Sequence, residues 1–208
     1  KIIAKLADNV YLFFLNLKPP RPQLITGKAK LAETTHAPVV RGRNIKSVMG
    51  DEDMKIAIRK AKIDDVGVIV ELHRKAVEEI NSDFYSPKAI KEWLKDISEE
   101  NVKHQFQNSS WIVAKTNNKL VGFGQYSVDG GEIYQINIDP KYVKQGVGRK
   151  LYEHMENTFE NRKIEKISLN STLNAIEFYK KLGFKVVGKT FIGSVEMIKM
   201  EKSLRASQ

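Results

Sequence analysis

A mixed α/β layer, in which helices pack on a mostly antiparallel sheet, is the architecture that this sequence predicts. Three observations point to it. Short alternating apolar segments, punctuated by Asn-Asn and Asp-Gly-Gly turns, run through residues 111–138. Amphipathic helical stripes flank them at residues 64–80, 87–97 and 147–159. The resulting order, β-α-α-β-β-β-α-β-α-β-β, joins its central strands by hairpins and so makes them antiparallel neighbours.

Each element has its own signal. Ile56, Ile58 and Lys60 lie in a short alternating strand. Asp64 and Asp65 open the first helix, whose inward stripe is Val66, Ile69, Val70, His73, Val77 and Ile80. Ser86 caps and Pro87 starts the second helix, with Ile90, Trp93, Leu94 and Ile97 on one face. Residues 111–115 and 119–128 read as a hairpin turning at Asn117-Asn118. A third strand spans residues 132–138 and stops at Asp139-Pro140. Val147, Leu151, Met155 and Phe159 then step by four along a helix. A strand at 167–169, a helix at 173–182 and strands at 184–187 and 194–200 complete the order.

Composition bounds the function. Hydrophobic residues make up 41% and charged ones 29%, the balance of a globular chain with a sizeable core. The densest apolar run, residues 10–17, falls well short of the ~20 residues a membrane span needs, so no membrane role is expected. The absence of cysteine excludes disulfides, a thiolate nucleophile and a thiolate metal site. His36, His73, His104 and His154 lack ligand spacing, so no metal is expected.

The net charge of +10 is unevenly placed: residues 1–50 carry +7 and the remainder +3. Residues 1–53 hold the Pro-rich KPPRP and the basic RGRNIK and keep no steady period. They read either as a mobile basic extension or as a non-native leader ahead of a natural start at Met54. Nothing in them resembles a secretory cleavage site. No aromatics interleave the basic residues of RGRNIK, which argues against nucleic acid as a partner. A folded domain over residues 54–204 follows.

Two constellations carry chemistry. In INIDPKYVKQGVGRKLYEHM, Gly146 and Gly148 flank a helix start, where free N–H groups point at an anion such as a pyrophosphate. Lys144 and Arg149 add positive charge. A bare Gly-x-Gly is a weak signal alone, and it is neither a Walker A loop nor a complete dinucleotide fingerprint. In NSTLNAIEFYKKLGF, Asn174 lies at a helix start, Tyr179 five residues on, and Gly183 at the C-terminal cap. Tyr179 taken alone reads as a core aromatic.

Together the two resemble the GNAT superfamily of N-acetyltransferases. That family has Val/Ile-x-Pro, then Arg/Gln-x-x-Gly-x-Gly/Ala; this chain has Ile138-Asp139-Pro140, then Val143-Lys144-Gln145-Gly146-Val147-Gly148. The family's later Asn-Ala and Phe-Tyr-x-x-x-Gly-Phe appear as Asn174-Ala175 and residues 178–184. Val143 departs from the usual Arg or Gln, which removes a side-chain phosphate contact but not the backbone cradle.

The resemblance implies a GNAT-like sheet and acetyl-CoA as co-substrate, with no metal. The backbones of Ile136, Asn137 and Ile138 would pair with pantetheine. The amides of Lys144, Gln145, Gly146, Val147, Gly148 and Arg149 would hold the pyrophosphate, and Asn174 would contact the pantetheine side. Tyr179 would be the acid for the leaving thiolate, and the Ile138 N–H a donor to the oxyanion. Glu132 is the candidate base, directly or through water, on one face with Tyr134, Ile136 and Ile138 provided no bulge intervenes. Without cysteine, direct transfer in a ternary complex is the simpler route. The acceptor, a small amine or a protein amine, would meet Phe84, Tyr85, Trp93, Tyr126 and Phe191 around the 81–85 loop, while His73 reads as a packed histidine. An acyl-CoA sensor without turnover is the alternative. A homodimer is the family-based expectation, and the lack of an export signal suggests a cytoplasmic location, where acetyl-CoA is available.

Overall fold

The computed structural model describes residues 55–204; the readings made for residues 1–53 and for Met54 lie outside them. Seven strands form one sheet: β1 (Ala57–Lys60), β2 (Ser110–Thr116), β3 (Lys119–Ser127), β4 (Glu132–Ile138), β5 (Lys166–Ser171), β6 (Lys185–Ile192) and β7 (Val195–Ser203). Their order is β1-β2-β3-β4-β5-β7-β6, and every pair is antiparallel except β4 and β5. The helices are α1 (Val66–Glu79), α2 (Pro87–Lys95), α3 (Glu99–Phe106), α4 (Val147–Asn161) and α5 (Ile176–Lys181).

The sheet is covered on both faces. On one, α4 buries Val147, Leu151, Met155 and Phe159 against Ile112, Ile133, Ile167 and Met200. On the other, α1 and α3 bury Ile69, Leu72 and Val102 against Trp111, Val113 and Phe123. The stripe of apolar residues at four-residue steps in α4 is therefore the stripe that meets the core.

The sequence reading did not include α3. Its signals are present: Ser98 accepts from the Asn101 amide as N-cap, with Glu99 and Glu100 in the first turn. Only Val102 of the helix is buried, however, so no apolar stripe announces it. The helix expected over 173–182 divides into a 3₁₀ turn (Leu173–Ala175) and the short α5. The last two strands run longer than their apolar cores, because Gly193 at φ +59° closes them into a hairpin.

Two irregularities shape the middle of the sheet. Between β3 and β4, Gln125 faces Gln135 while Tyr126 faces Ile133, so Tyr134 is an extra residue, a β-bulge. Between β4 and β5, only Glu132 with Ser168 and Ile133 with Leu169 pair. Beyond them β4 continues to Ile138 along β3 and β5 to Ser171 along β7, with no ladder pairs between the two among the described residues, leaving a wedge-shaped gap.

Gly131 closes the narrow end of that wedge. At φ +58° its carbonyl accepts from the Ser168 amide at 2.8 Å. A Cβ here would lie 2.5 Å from the Lys166 main-chain oxygen and 2.8 Å from Ile164 Cγ2. Left-handed strain of about 1–2 kcal/mol adds to an overpacking term of about 1–3 kcal/mol. Gly131→Ala is expected to lower stability by about 2–5 kcal/mol in denaturant melts. Gly130→Ala in the same turn, where a Cβ meets only Ser127 at 3.3 Å, is expected to change little.

Candidate active site

The wedge decides which backbone groups are free. The Asp139 amide donates to the Val121 carbonyl at 2.9 Å, and Ile138 stands opposite Gly122. In an antiparallel ladder this makes Ile138–Gly122 a non-bonded pair and Asn137–Phe123 a bonded one. The main-chain groups of Ile136 and Ile138 therefore point away from β3, into the gap. Asn137 is a correction to the sequence reading: its main-chain groups are engaged by β3, not offered to a ligand.

At the mouth of the gap, Asp139 caps a short turn by accepting from the Lys141 amide at 3.0 Å. Lys75 of α1 reaches the same buried carboxylate at 3.3 Å, tying α1 to the end of β4. The chain then coils through two left-handed residues, Lys144 at φ +63° and Gly146 at φ +84°. Gly146 is the N-cap of α4, and the first helical bond runs from the Lys150 amide to the Gly146 carbonyl at 3.0 Å. The amides of Val147, Gly148 and Arg149 precede it and have no partner inside the helix. A Cβ on Gly146 would meet nothing within 4 Å, so the loop borders open space.

The loop's side chains divide in role. Gln145 Nε2 braces the loop on the Lys141 carbonyl at 2.8 Å. Val147 is buried in the core. Lys144 and Arg149 are exposed and cationic. Across the gap, β5 runs into the 3₁₀ turn that holds Asn174. Asn174 Oδ1 is buried without a hydrogen-bond partner among the described residues. A native fold seldom leaves such an atom unmet. Free amides on one wall, an orphaned acceptor on the other and a cationic, open-faced loop at the mouth fit an extended amide-bearing molecule that ends in phosphates.

The bulge at Tyr134 corrects the face assigned to Glu132. Ile133, Ile136 and Ile138 all pack toward the α4 core, so Glu132 lies on the opposite face and not with Ile136 and Ile138. That is the α1 face, shared with Gln135 and Asn137. Burial raises the Glu132 carboxyl above its ordinary range, and Lys199 only partly opposes this. Tyr179 lies on the α4 face, packed edge-on against Phe184 at 5.6 Å and against Phe178 at 5.1 Å. Burial pushes its phenol pKa up. The two residues therefore flank the sheet from opposite sides.

The aromatics expected near the acceptor separate too. Tyr126 is buried against Phe159 on the α4 face and is core. Tyr85 is a brace: its hydroxyl donates to the Glu196 carbonyl at 2.9 Å and accepts from the Leu173 amide at 3.0 Å. Trp93 packs edge-on to Tyr85, while Phe84 and Phe191 are exposed. A cavity of about 630 Å³ lined by Arg74, Tyr85, Ile90 and Lys91 opens between α1 and α2, but no residue of β4 or β5 lines it.

His73 packs edge-on to Phe123 at 5.7 Å. Burial, with Arg74 beside it, lowers its pKa from 6.5 to about 4. The unfolded chain therefore binds the proton first, and stability present above pH 6.5 is lost as pH falls toward 4. At about 1.4 kcal/mol per unit the loss approaches about 3 kcal/mol. His73→Leu is expected to flatten that part of the pH–stability curve, read by melts at stepped pH.

Among the described residues no helix is long and apolar enough to cross a membrane. A family model described as an acetyltransferase (GNAT) domain matches residues 81–204. The [Ribosomal protein bS18]-alanine N-acetyltransferase of Escherichia coli K12 is 36% identical over 73 residues, covering 33% of this chain and 49% of that enzyme. The spermidine N(1)-acetyltransferase of Thermoplasma acidophilum is 25% identical over 147 residues, 64% of this chain and 90% of that one. The chain spans about half the length or less of the curated relatives that head the matches. The PaiA N-acetyltransferase of Thermoplasma acidophilum, solved in complex with coenzyme A, shares the fold with a TM-score of 0.64 and 23% identity over 73% of this chain and 100% of that one. A family model over more than half of the chain, on a sheet that splays where the family's motifs fall, shows that this chain belongs to the GNAT acetyltransferase family.

Proposed function

We propose that the chain transfers an acetyl group from acetyl-CoA to a primary amine by direct transfer in a ternary complex. The observation that carries this reading is the gap between β4 and β5, with unengaged Ile136 and Ile138 main-chain groups along it and the 144–149 amides at its mouth.

The thioester supplies an activated acetyl carbon. The residues supply the rest. A protonated alkyl amine cannot attack, so Glu132, several residues back along β4 from Ile138, takes its proton through intervening water. Its raised pKa brings it closer to that task than an exposed glutamate. The Ile138 N–H, fixed in direction by the β3–β4 ladder, donates to the oxygen on which negative charge develops. The C–N bond forms, the C–S bond breaks, and Tyr179 gives its proton to the departing sulfur. The acylated nitrogen loses its second proton to solvent, and the Glu132 proton later restores the phenol. With Glu132 on the α1 face and Tyr179 on the α4 face, the amine is served from one side of the sheet and the thioester from the other.

The acceptor is a small amine or a protein amine; the relatives' names include both kinds. Calorimetry of acetyl-CoA on the full chain, followed by thiol release with an amine panel, tests the reading. Saturable binding and amine-dependent thiol release are expected. A folded protein that binds no acetyl-CoA overturns it.

A further inference from the structure

A chain of hydrogen bonds crosses the α1 face of the sheet. Asn137 Nδ2 donates to Gln135 Oε1 at 2.8 Å, and Gln135 Nε2 to Gln125 Oε1 at 2.7 Å. Gln125 Nε2 donates to Ser109 Oγ at 3.0 Å and to Gln105 Oε1 at 3.1 Å. Trp111 Nε1 also donates to Ser109 Oγ, at 3.0 Å, and Ser109 gives its own proton to the Gln105 main-chain oxygen at 2.7 Å.

The direction of this ladder is forced. An indole N–H only donates, and a main-chain carbonyl only accepts. Ser109 has one proton and places it on Gln105, so toward Gln125 its oxygen can only accept. Gln125 must therefore turn its NH₂ to Ser109 and its carbonyl to Gln135. The same logic turns Gln135, and then Asn137. Gln125 is buried, so a reversed amide would leave donor facing donor without water to relieve it.

The free end is Asn137 Oδ1. It takes no bond from a described residue, and it is not among the buried atoms left without a partner, so it faces accessible space. It stands where β4 has parted from β5, one residue before Ile138, whose N–H points into the gap.

We propose that Asn137 Oδ1 reads the acceptor amine, accepting one of its N–H groups while the lone pair remains free for attack. This rests on the acetyltransferase reading above. A locked carbonyl at this place selects groups that can donate. Being neutral, it does so without favouring the ammonium form, which a carboxylate there would hold protonated and unreactive. Asn137 thus contributes its side chain to the acceptor, while its main chain belongs to the sheet.

Two variants, Asn137→Leu and Asn137→Asp, test this in the full chain. The probes are n-butylamine, spermidine and a short peptide with an N-terminal alanine, followed by thiol release, with acetyl-CoA affinity measured by calorimetry. Asn137→Leu is expected to raise the amine KM about 10-fold or more. Asn137→Asp is expected to lower the amine KM while also lowering kcat near neutral pH, a split that a merely structural role does not produce. Acetyl-CoA affinity is expected to stay within about two-fold of wild type in both. Wild-type turnover with unchanged kcat/KM in Asn137→Leu overturns this inference alone. So does a loss of acetyl-CoA affinity that matches the loss of activity. A wild type that binds no acetyl-CoA, or turns over none of the three amines, overturns the acetyltransferase reading and this inference with it.

Discussion

Gly146→Glu is expected to weaken acetyl-CoA binding at least about 100-fold while the protein remains folded. Gly146 holds φ +84° at the N-cap of α4, and a side chain there meets no protein atom within 4 Å. The substitution therefore causes no internal clash and costs only the left-handed strain, about 1–2 kcal/mol. What it changes is the space outside: a carboxylate would project where the loop's amides and the start of α4 favour an anion. About 2.7 kcal/mol of repulsion and exclusion suffices for the expected loss. Gly146→Ala carries the same backbone strain without the charge, so the difference between the two variants isolates the electrostatic part. Calorimetry reads the affinity and a thermal melt confirms the fold. Unchanged binding in a folded Gly146→Glu protein would remove residues 144–149 from the cofactor site.

Tyr179→Phe is expected to lower kcat by about 10²-fold or more, with acetyl-CoA affinity and stability nearly unchanged. The ring fills a core position beside Phe178 and Phe184, and phenylalanine keeps that packing. Among the described residues nothing bonds its hydroxyl, so deleting the oxygen leaves no orphaned partner. Burial raises the phenol pKa, which keeps the proton on the oxygen across the physiological range. A group so held can give a proton to a departing thiolate but is a poor base. The wild-type alkaline limb for this group accordingly lies above the ordinary tyrosine value of 10. Steady-state kinetics across pH reads both effects. A kcat within a few-fold of wild type would assign the leaving group's proton to another source.

Much of this was legible in the chain itself. The stripe Val147, Leu151, Met155 and Phe159 named α4, and Asp139-Pro140 with Gly146 and Gly148 named the loop ahead of it, because those residues act through local backbone chemistry. The α3 helix escaped because it buries a single residue. The bulge at Tyr134 escaped for a different reason. No glycine marks it, and it exists only in the register between Gln125 and Gln135, a property of two strands together. Alternation along β4 alone therefore set Glu132 on the wrong face, and the resemblance, which gave Ile136, Asn137 and Ile138 alike to the ligand, did not say which main-chain groups β3 engages. The ladder from Trp111 to Asn137 could not be read either, since its members are spread over three strands, a helix and the turn after it.

The wedge between β4 and β5 also has a mechanical meaning. β1 to β4 and β5 to β7 are each complete ladders, and across the seam the backbone pairing of the described residues is two residue pairs and the Gly131–Ser168 bond. The α4 core spans both halves from beneath. A molecule seated in the seam would act as a rivet between two plates, so the free energy of filling the site and the cohesion of the sheet become one quantity. Thermal stability would then rise with ligand concentration, and hydrogen exchange would slow first at the open end of β5, far along the chain from the phosphate loop itself.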